Sequence, residues 1–103
     1  MNEIAKINDQ LRISLPFLSS PHRFVMTSAV ASLSAEKLIN LFHKVRSFED
    51  FNRGNDPYKE HDCGVIDFEG DQYVWKIDYY DQDFQFFKEN GNRVLTLMHT
   101  SEY

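Results

Sequence analysis

Residues 64–80 read GVIDFEGDQYVWKIDYY, and the way this stretch folds back on itself decides the architecture. Two runs rich in β-branched and aromatic residues flank Gly70-Asp71, a glycine-first pair suited to a two-residue type II′ turn. With that turn, Phe68 pairs with Tyr73 and Ile66 with Trp75, while Ile77 continues the same face opposite Gly64. Val65, Asp67, Val74, Lys76 and Asp78 fall on the other face. Large apolar side chains are thereby separated from charged ones, as a strand pair with one buried face requires. The pattern predicts an antiparallel hairpin of residues 65–69 and 72–80.

Outward from the hairpin, residues 93–100 alternate Leu95 and Leu97 against Thr96 and Met98, a further strand after an Asn90-Gly91 turn. Toward the N-terminus, Leu38, Leu41, Phe42 and Val45 recur at helical spacing behind Ser34, a good N-cap, with Glu36 in the first turn and Lys44 and Arg46 in the last. This predicts a helix over 35–46. Ser47 and Asp50 form S-x-x-D, which predicts another helical turn through Phe48 and Phe51. Residues 24–30, FVMTSAV, predict a strand. Ile4, Ile7 and Leu11, with Asn2 as cap, predict a helix over 2–13. Residues 52–63 form a polar loop rich in turn residues. Phe84, Phe86 and Phe87 either extend a strand or fold over the core. The fold class is α+β, one domain over 1–103: two helices packed on one face of a mainly antiparallel four-stranded sheet, in the order α-β-α-β-β-β.

Charge is unevenly spread. The chain carries 16 acids and 11 bases, a net −5. Residues 56–83 hold nine acids and two bases (−7), which leaves seven acids and nine bases (+2) elsewhere. A nucleic-acid binder needs a cationic stripe, and Arg23, Lys37, Lys44, Arg46 and Arg53 are too dispersed to make one. The acidic stretch fits a cationic partner surface, a metal, or imitation of a phosphate backbone; it equally keeps a small domain soluble. No apolar run approaches the length of a membrane span, and residues 1–12 lack the apolar block of a secretory signal. The single cysteine, Cys63, excludes an internal disulfide and fits a reducing compartment, so a cytoplasmic location is expected.

The stretch NDPYKEHDCG, residues 55–64, concentrates chemistry-bearing groups. Glu60, His61 and Asp62 are possible metal ligands or acid–base groups, but adjacent residues converge only if the loop bends. Asp56, Asp78 and Asp81 could complete a ligand set through space. Against this stands a structural role, in which Asn55, Asp56 and Asp62 hydrogen-bond the loop backbone. In WKIDYYD, residues 75–81, Lys76 and Asp78 share one strand face as an exposed pair, and Tyr80 joins that face as a contact residue. Asp62 beside Cys63 raises a thiol pKa, against a nucleophilic cysteine. No phosphate-binding glycine loop, G-x-S-x-G, C-x-x-C or H-E-x-x-H motif occurs.

NDPYKEHDCG, WKIDYYD and RVLTLMHTSEY (residues 93–103), with Asn8-Asp9-x-x-Arg12 and Thr27-x-Ala29-Val30, resemble a small bacterial domain-of-unknown-function family with the pattern NDPYxEHDFG, WKIDYYD, RVLTIMxAxEY. The chain departs from it at Cys63 (phenylalanine in the pattern), at Ala29 (glycine) and over residues 82–92. The resemblance implies a cytoplasmic bacterial protein of a family often met on plasmids and phages, and it assigns no catalytic residue.

The resulting expectation is a small acidic interaction protein that binds a host protein through an acidic face, with no cofactor and no membrane partner. Its binding residues are Asn55, Asp56, Tyr58, Glu60, His61, Asp62, Lys76, Asp78, Tyr80 and Asp81. The alternative is a metal-dependent hydrolase or nuclease built on Glu60, His61 and Asp62 with Asp78 and Asp81. A third reading is a domain that dimerises through an exposed strand edge.

Overall fold

The computed structural model of the chain describes residues 2–103. Its elements are α1 (Glu3–Ile13), β1 (Arg23–Met26), α2 (Ser28–Ala31), α3 (Ala35–Arg46), β2 (Cys63–Phe68), β3 (Asp71–Tyr80), β4 (Asn92–His99) and a closing 3-10 turn (Thr100–Glu102). The class is α+β, with three α-helices where the sequence predicts two. The four strands form one mixed sheet in the order β1-β4-β3-β2; β2–β3 and β3–β4 are antiparallel, and β1 runs parallel to β4.

The hairpin forms, but its register differs from the predicted one by two residues. Ile66 stands opposite Tyr73, Gly64 opposite Trp75 and Phe68 opposite Asp71, so the turn is Glu69-Gly70 rather than Gly70-Asp71. Both turn residues have positive φ, +51° and +83°, the combination that matches the right-handed twist of paired strands. Asp71 is thereby freed from the turn to lie 3.1 Å (Oδ1) from His99 Nε2 at the end of β4. A slip of two preserves side-chain parity. Ile66, Phe68, Tyr73, Trp75, Ile77 and Tyr79 therefore remain on the buried face, in one cluster with Leu95 and Leu97 of β4, Val30 of α2, Leu41 and Val45 of α3, and Leu15. Gly64 lets Trp75 approach. A Cβ there would lie 2.6 Å from Trp75 Nε1 and 2.5 Å from Phe48 Cζ.

The predicted helices at the N-terminus and over 35–46 are present with the expected caps. Asn2 Oδ1 accepts from the Ala5 N–H at 2.7 Å, and Ser34 Oγ from the Lys37 N–H at 3.3 Å.

Two predicted elements are replaced. The strand over 24–30 stops at Met26, and residues 28–31 become α2. The cause lies far along the chain. One Glu102 carboxylate oxygen accepts from Thr27 Oγ1 (2.6 Å) and the His99 N–H (2.9 Å), and the other accepts from the Ala29 N–H (3.1 Å). An acid so placed satisfies a helix N-terminus, and Val30 then turns fully into the core. The helical turn through Phe48 and Phe51 does not form. The Ser47 hydroxyl donates back to the His43 carbonyl (2.8 Å), closing α3 instead of capping a new helix.

Candidate functional site

The loop of residues 55–62 runs between α1 and the far end of β3, and it does bend. Lys59 and His61 have φ of +58° and +55°. The buried Asp56 carboxylate holds the bend, its Oδ1 accepting from the N–H groups of Glu60 and His61, each at 3.0 Å. Upstream, Asn55 Nδ2 donates to the Asp50 carbonyl (2.7 Å) while its Oδ1 accepts from the Asn52 N–H (2.9 Å). Asn55 and Asp56 thus act on loop backbone.

The bend sends His61 one way and its neighbours another. His61 turns toward α1, its Nδ1 3.0 and 3.1 Å from the two Asp9 oxygens and its Nε2 3.6 Å from Asp56 Oδ2. Its ring stacks on Phe51, with centroids 3.9 Å apart and planes 2° from parallel. Asp9 also accepts from Arg12 Nη2 (3.1 Å), and Arg12 Nη1 donates to the carbonyls of Val45 and Arg46 at the end of α3. Asn8, fully buried, donates to the Glu60 carbonyl (2.9 Å) and Tyr79 Oη (2.8 Å) and accepts from Arg93 Nε (3.0 Å). Burial pushes the Tyr79 phenol up to about 12, so the hydroxyl keeps its proton at neutral pH. Asn8, Asp9 and Arg12 lie within about one helical turn, so a single stretch of α1 clamps both the loop and α3.

Glu60 and Asp62 face the opposite side. With Tyr58, Ile77, Asp78, Tyr79, Tyr80 and Phe87 they line a cleft of about 400 Å³. Burial, followed by the charge of Asp62 and a hydrogen bond with it, raises the Glu60 pKa above its ordinary value. Asp62 is raised chiefly by burial, with a backbone hydrogen bond pulling the other way. Neither has an ion-pair partner among the described residues. Asp78 is bound to Lys76 Nζ at 2.6 Å, and that hydrogen bond raises the lysine's pKa. Tyr58 and Phe87 are 81% and 73% exposed, so the cleft has open aromatic walls.

Asp81 stands apart from this cleft. Its Oδ1 accepts from the Gln85 and Asp83 N–H groups (3.0 and 3.2 Å), its own N–H donates to the Phe86 carbonyl (2.8 Å), and the accepted hydrogen bonds, Gln85 foremost, lower its pKa. It shapes the turn that presents Phe86 and Phe87, while Phe84 is held under Arg23, 3.7 Å from guanidinium carbon to ring centroid. Among the described residues no group of three or more His, Cys, Asp or Glu side chains is arranged to hold a metal ion. His61 points away from Glu60 and Asp62, and Asp56 and Asp81 cap backbone. Burial, with Asp62 and Asp56 nearby, raises the Cys63 thiol, which keeps it protonated.

The site residues that sequence reasoning missed are Asn8, Asp9, Arg12, Phe51, Phe87 and Arg93. The available signal for the first three was their polar cluster on a helix whose apolar stripe is already supplied by Ile4, Ile7 and Leu11. Phe51 was assigned to a helix instead, and Phe87 lies in a connection without periodicity.

A family model described as "Protein of unknown function (DUF3768)" matches residues 26–102, so α1 and its clamp residues precede the matched span. No curated protein and no solved structure matches the chain.

Proposed function

Because the chain belongs to the DUF3768 family of proteins of unknown function, we propose its role from its own geometry: a small binding protein that receives a basic surface of a partner protein in its acidic, aromatic-walled cleft. The observation that carries this reading is the convergence of Glu60 and Asp62, both without a cationic partner, beside Asp78 and between exposed aromatic rings. Burial raises both carboxyl pKa values, and repulsion from Asp62 raises Glu60 further. A lysine or arginine side chain placed between them relieves that repulsion, and Tyr58 and Phe87 offer ring faces to the same cation. The surrounding negative field speeds encounter with a basic partner and makes binding salt-sensitive. The resemblance to a family often met on plasmids and phages supports a host protein, met in the cytoplasm, as that partner.

Fluorescence anisotropy with a labelled hexa-arginine peptide tests the cleft. Changing Glu60→Gln, Asp62→Asn and Asp78→Asn together is expected to weaken binding about tenfold or more. The control removes three exposed acids elsewhere (Glu3→Gln, Glu36→Gln, Glu49→Gln) and so changes net charge equally, from −5 to −2. It should cost much less. Equal losses in both triple variants, or no binding by the unaltered chain, would overturn the assignment.

A further inference from the structure

A second surface, independent of the cleft, lies along β2, the edge strand of the sheet opposite to β1. We infer that the β2 edge pairs antiparallel with the β2 edge of a second copy of this chain, about a two-fold axis through Val65.

The backbone geometry of β2 shows which groups are free. The Ile77 N–H donates to the Asp62 carbonyl at 2.7 Å, and these two residues stand opposite each other in the β2–β3 register. In an antiparallel ladder hydrogen-bonded residues alternate, so residues 62, 64, 66 and 68 turn their backbone groups toward β3. Cys63, Val65 and Asp67 turn theirs outward. The Asp67 carbonyl accepts from Lys44 Nζ (3.0 Å), a lysine guarding that end of the edge, and a carbonyl has a second lone pair to offer. At Val65 no group among the described residues reaches either the N–H or the C=O.

Val65 is the exposed apolar side chain of this edge, and Val74 and Met98 behind it are already buried. Val65 is 53% exposed and stands in register with Val74, which stands in turn opposite Met98. A groove of about 430 Å³ passes over the same edge, with Phe48, Val65, Val74 and Tyr103 among its walls. Unpaired strand backbone beside an exposed valine is the surface that another strand covers.

The choice of a second copy rests on register. Centred on Val65, two β2 strands exchange both Val65 hydrogen bonds and place Cys63 opposite Asp67 of the partner subunit, so no like charges face each other. The two Val65 side chains meet on the outer face and cover each other. Centring on Gly64 or Ile66 sets Val65 against Cys63 or Asp67 of the partner subunit and gives up the paired valines. The registers centred two residues away fail. Centring on Asp67 sets two carboxylates directly opposite, which is destabilising. Centring on Cys63 sets Val65 against His61 of the partner subunit, where the φ of +55° has already ended the strand. Of these two-fold registers, the one centred on Val65 pairs the exposed valines with each other.

Light scattering after size exclusion, at about 100 µM chain, reads the outcome directly. The expected mass is twice 12.2 kDa. Val65→Pro removes an outward-facing N–H at an edge position, where proline is tolerated in a monomer, and should restore 12.2 kDa. Val65→Lys sets two ammonium groups at the axis and should do the same, which decides the matter if the proline variant does not fold by circular dichroism. A single-chain mass for the unaltered protein overturns the proposal and leaves the edge to an extended segment of a different chain. So does a doubled mass in either folded variant.

Discussion

The two sides of the 55–62 loop are built from the same residue types and have opposite character. On the α1 side, Asp56, His61, Asp9, Arg12 and Asn8 interlock, and most of their polar atoms have a partner within about 3 Å, with Arg12 Nε and the His61 Nε2–Asp56 Oδ2 pair (3.6 Å) the exceptions. On the cleft side, Glu60 and Asp62 meet each other and no cation. A satisfied polar cluster in a buried setting fixes structure, whereas carboxylates gathered without countercharge cost stability and are free to bind. Two positive-φ residues divide one acidic motif between these tasks. If that division is right, substitutions on the α1 side should cost stability, and substitutions on the cleft side should cost binding alone.

The sharpest break is at Asn8. Its side chain joins the Glu60 carbonyl, the Tyr79 hydroxyl and the buried Arg93 guanidinium, which has no carboxylate within ion-pair distance among the described residues. Asn8→Ala leaves all three short of a partner, including a charged one, and should destabilise by about 2–4 kcal/mol in urea denaturation. A loss under about 0.5 kcal/mol, the size of an ordinary surface change, would show that the clamp does not hold the fold. Asp56 comes next. Asp56→Ala removes the acceptor for two N–H groups and should cost about 1–3 kcal/mol. Asp56→Asn keeps an oxygen in the same place and should recover most of that. Equal damage from both would mean that charge opposite His61, rather than backbone capping, is what Asp56 supplies.

These two residues also mark where the sequence was legible. Capping of loop backbone by Asn55 and Asp56 follows from local chemistry, because Asn and Asp reach N–H groups a few residues away. Helical spacing likewise located α3 at its observed ends, Ala35 and Arg46. The binary pattern placed Ile66 and Trp75 on one buried face even though the turn was assigned one position too late. Parity survives a slip of two residues, whereas turn identity depends on Glu69 accepting a left-handed conformation. What was not legible depends on distant partners. The strand-like run that begins at Phe24 carries the predicted strand on to Val30, but residues 28–31 are helical, with Glu102, more than 70 positions away, capping them. His61 stands between Glu60 and Asp62 in the sequence, yet Asp9 and Phe51 hold it on the other side of the loop. Contacts of such separation leave no periodic trace in one chain.

The smallest expected effect is the most specific, because its sign depends on which side of the loop is changed. Glu60 and Asp62 both have folded-state pKa values raised above their ordinary 4.5 and 3.8. Well below those values the carboxyls are protonated in folded and unfolded chains alike, and nothing is lost. As pH rises through the ordinary values the unfolded chain ionises first, and the folded chain falls progressively behind until its own, higher pKa values are passed. The double change Glu60→Gln, Asp62→Asn removes that handicap. It should leave stability near that of the unaltered chain at about pH 3 and raise it at pH 7 by a few tenths of a kcal/mol, a gain kept small by solvent screening of partly exposed groups. The same variant should lose binding to the arginine peptide. Thermal melts across the pH range check this: a gap that opens as pH rises through 3.8 and 4.5, in favour of the neutral variant, places these acids on the binding side. A neutral variant less stable at pH 7 would mean that Glu60 and Asp62 hold the loop as Asp56 does, and the division between the two sides would fail.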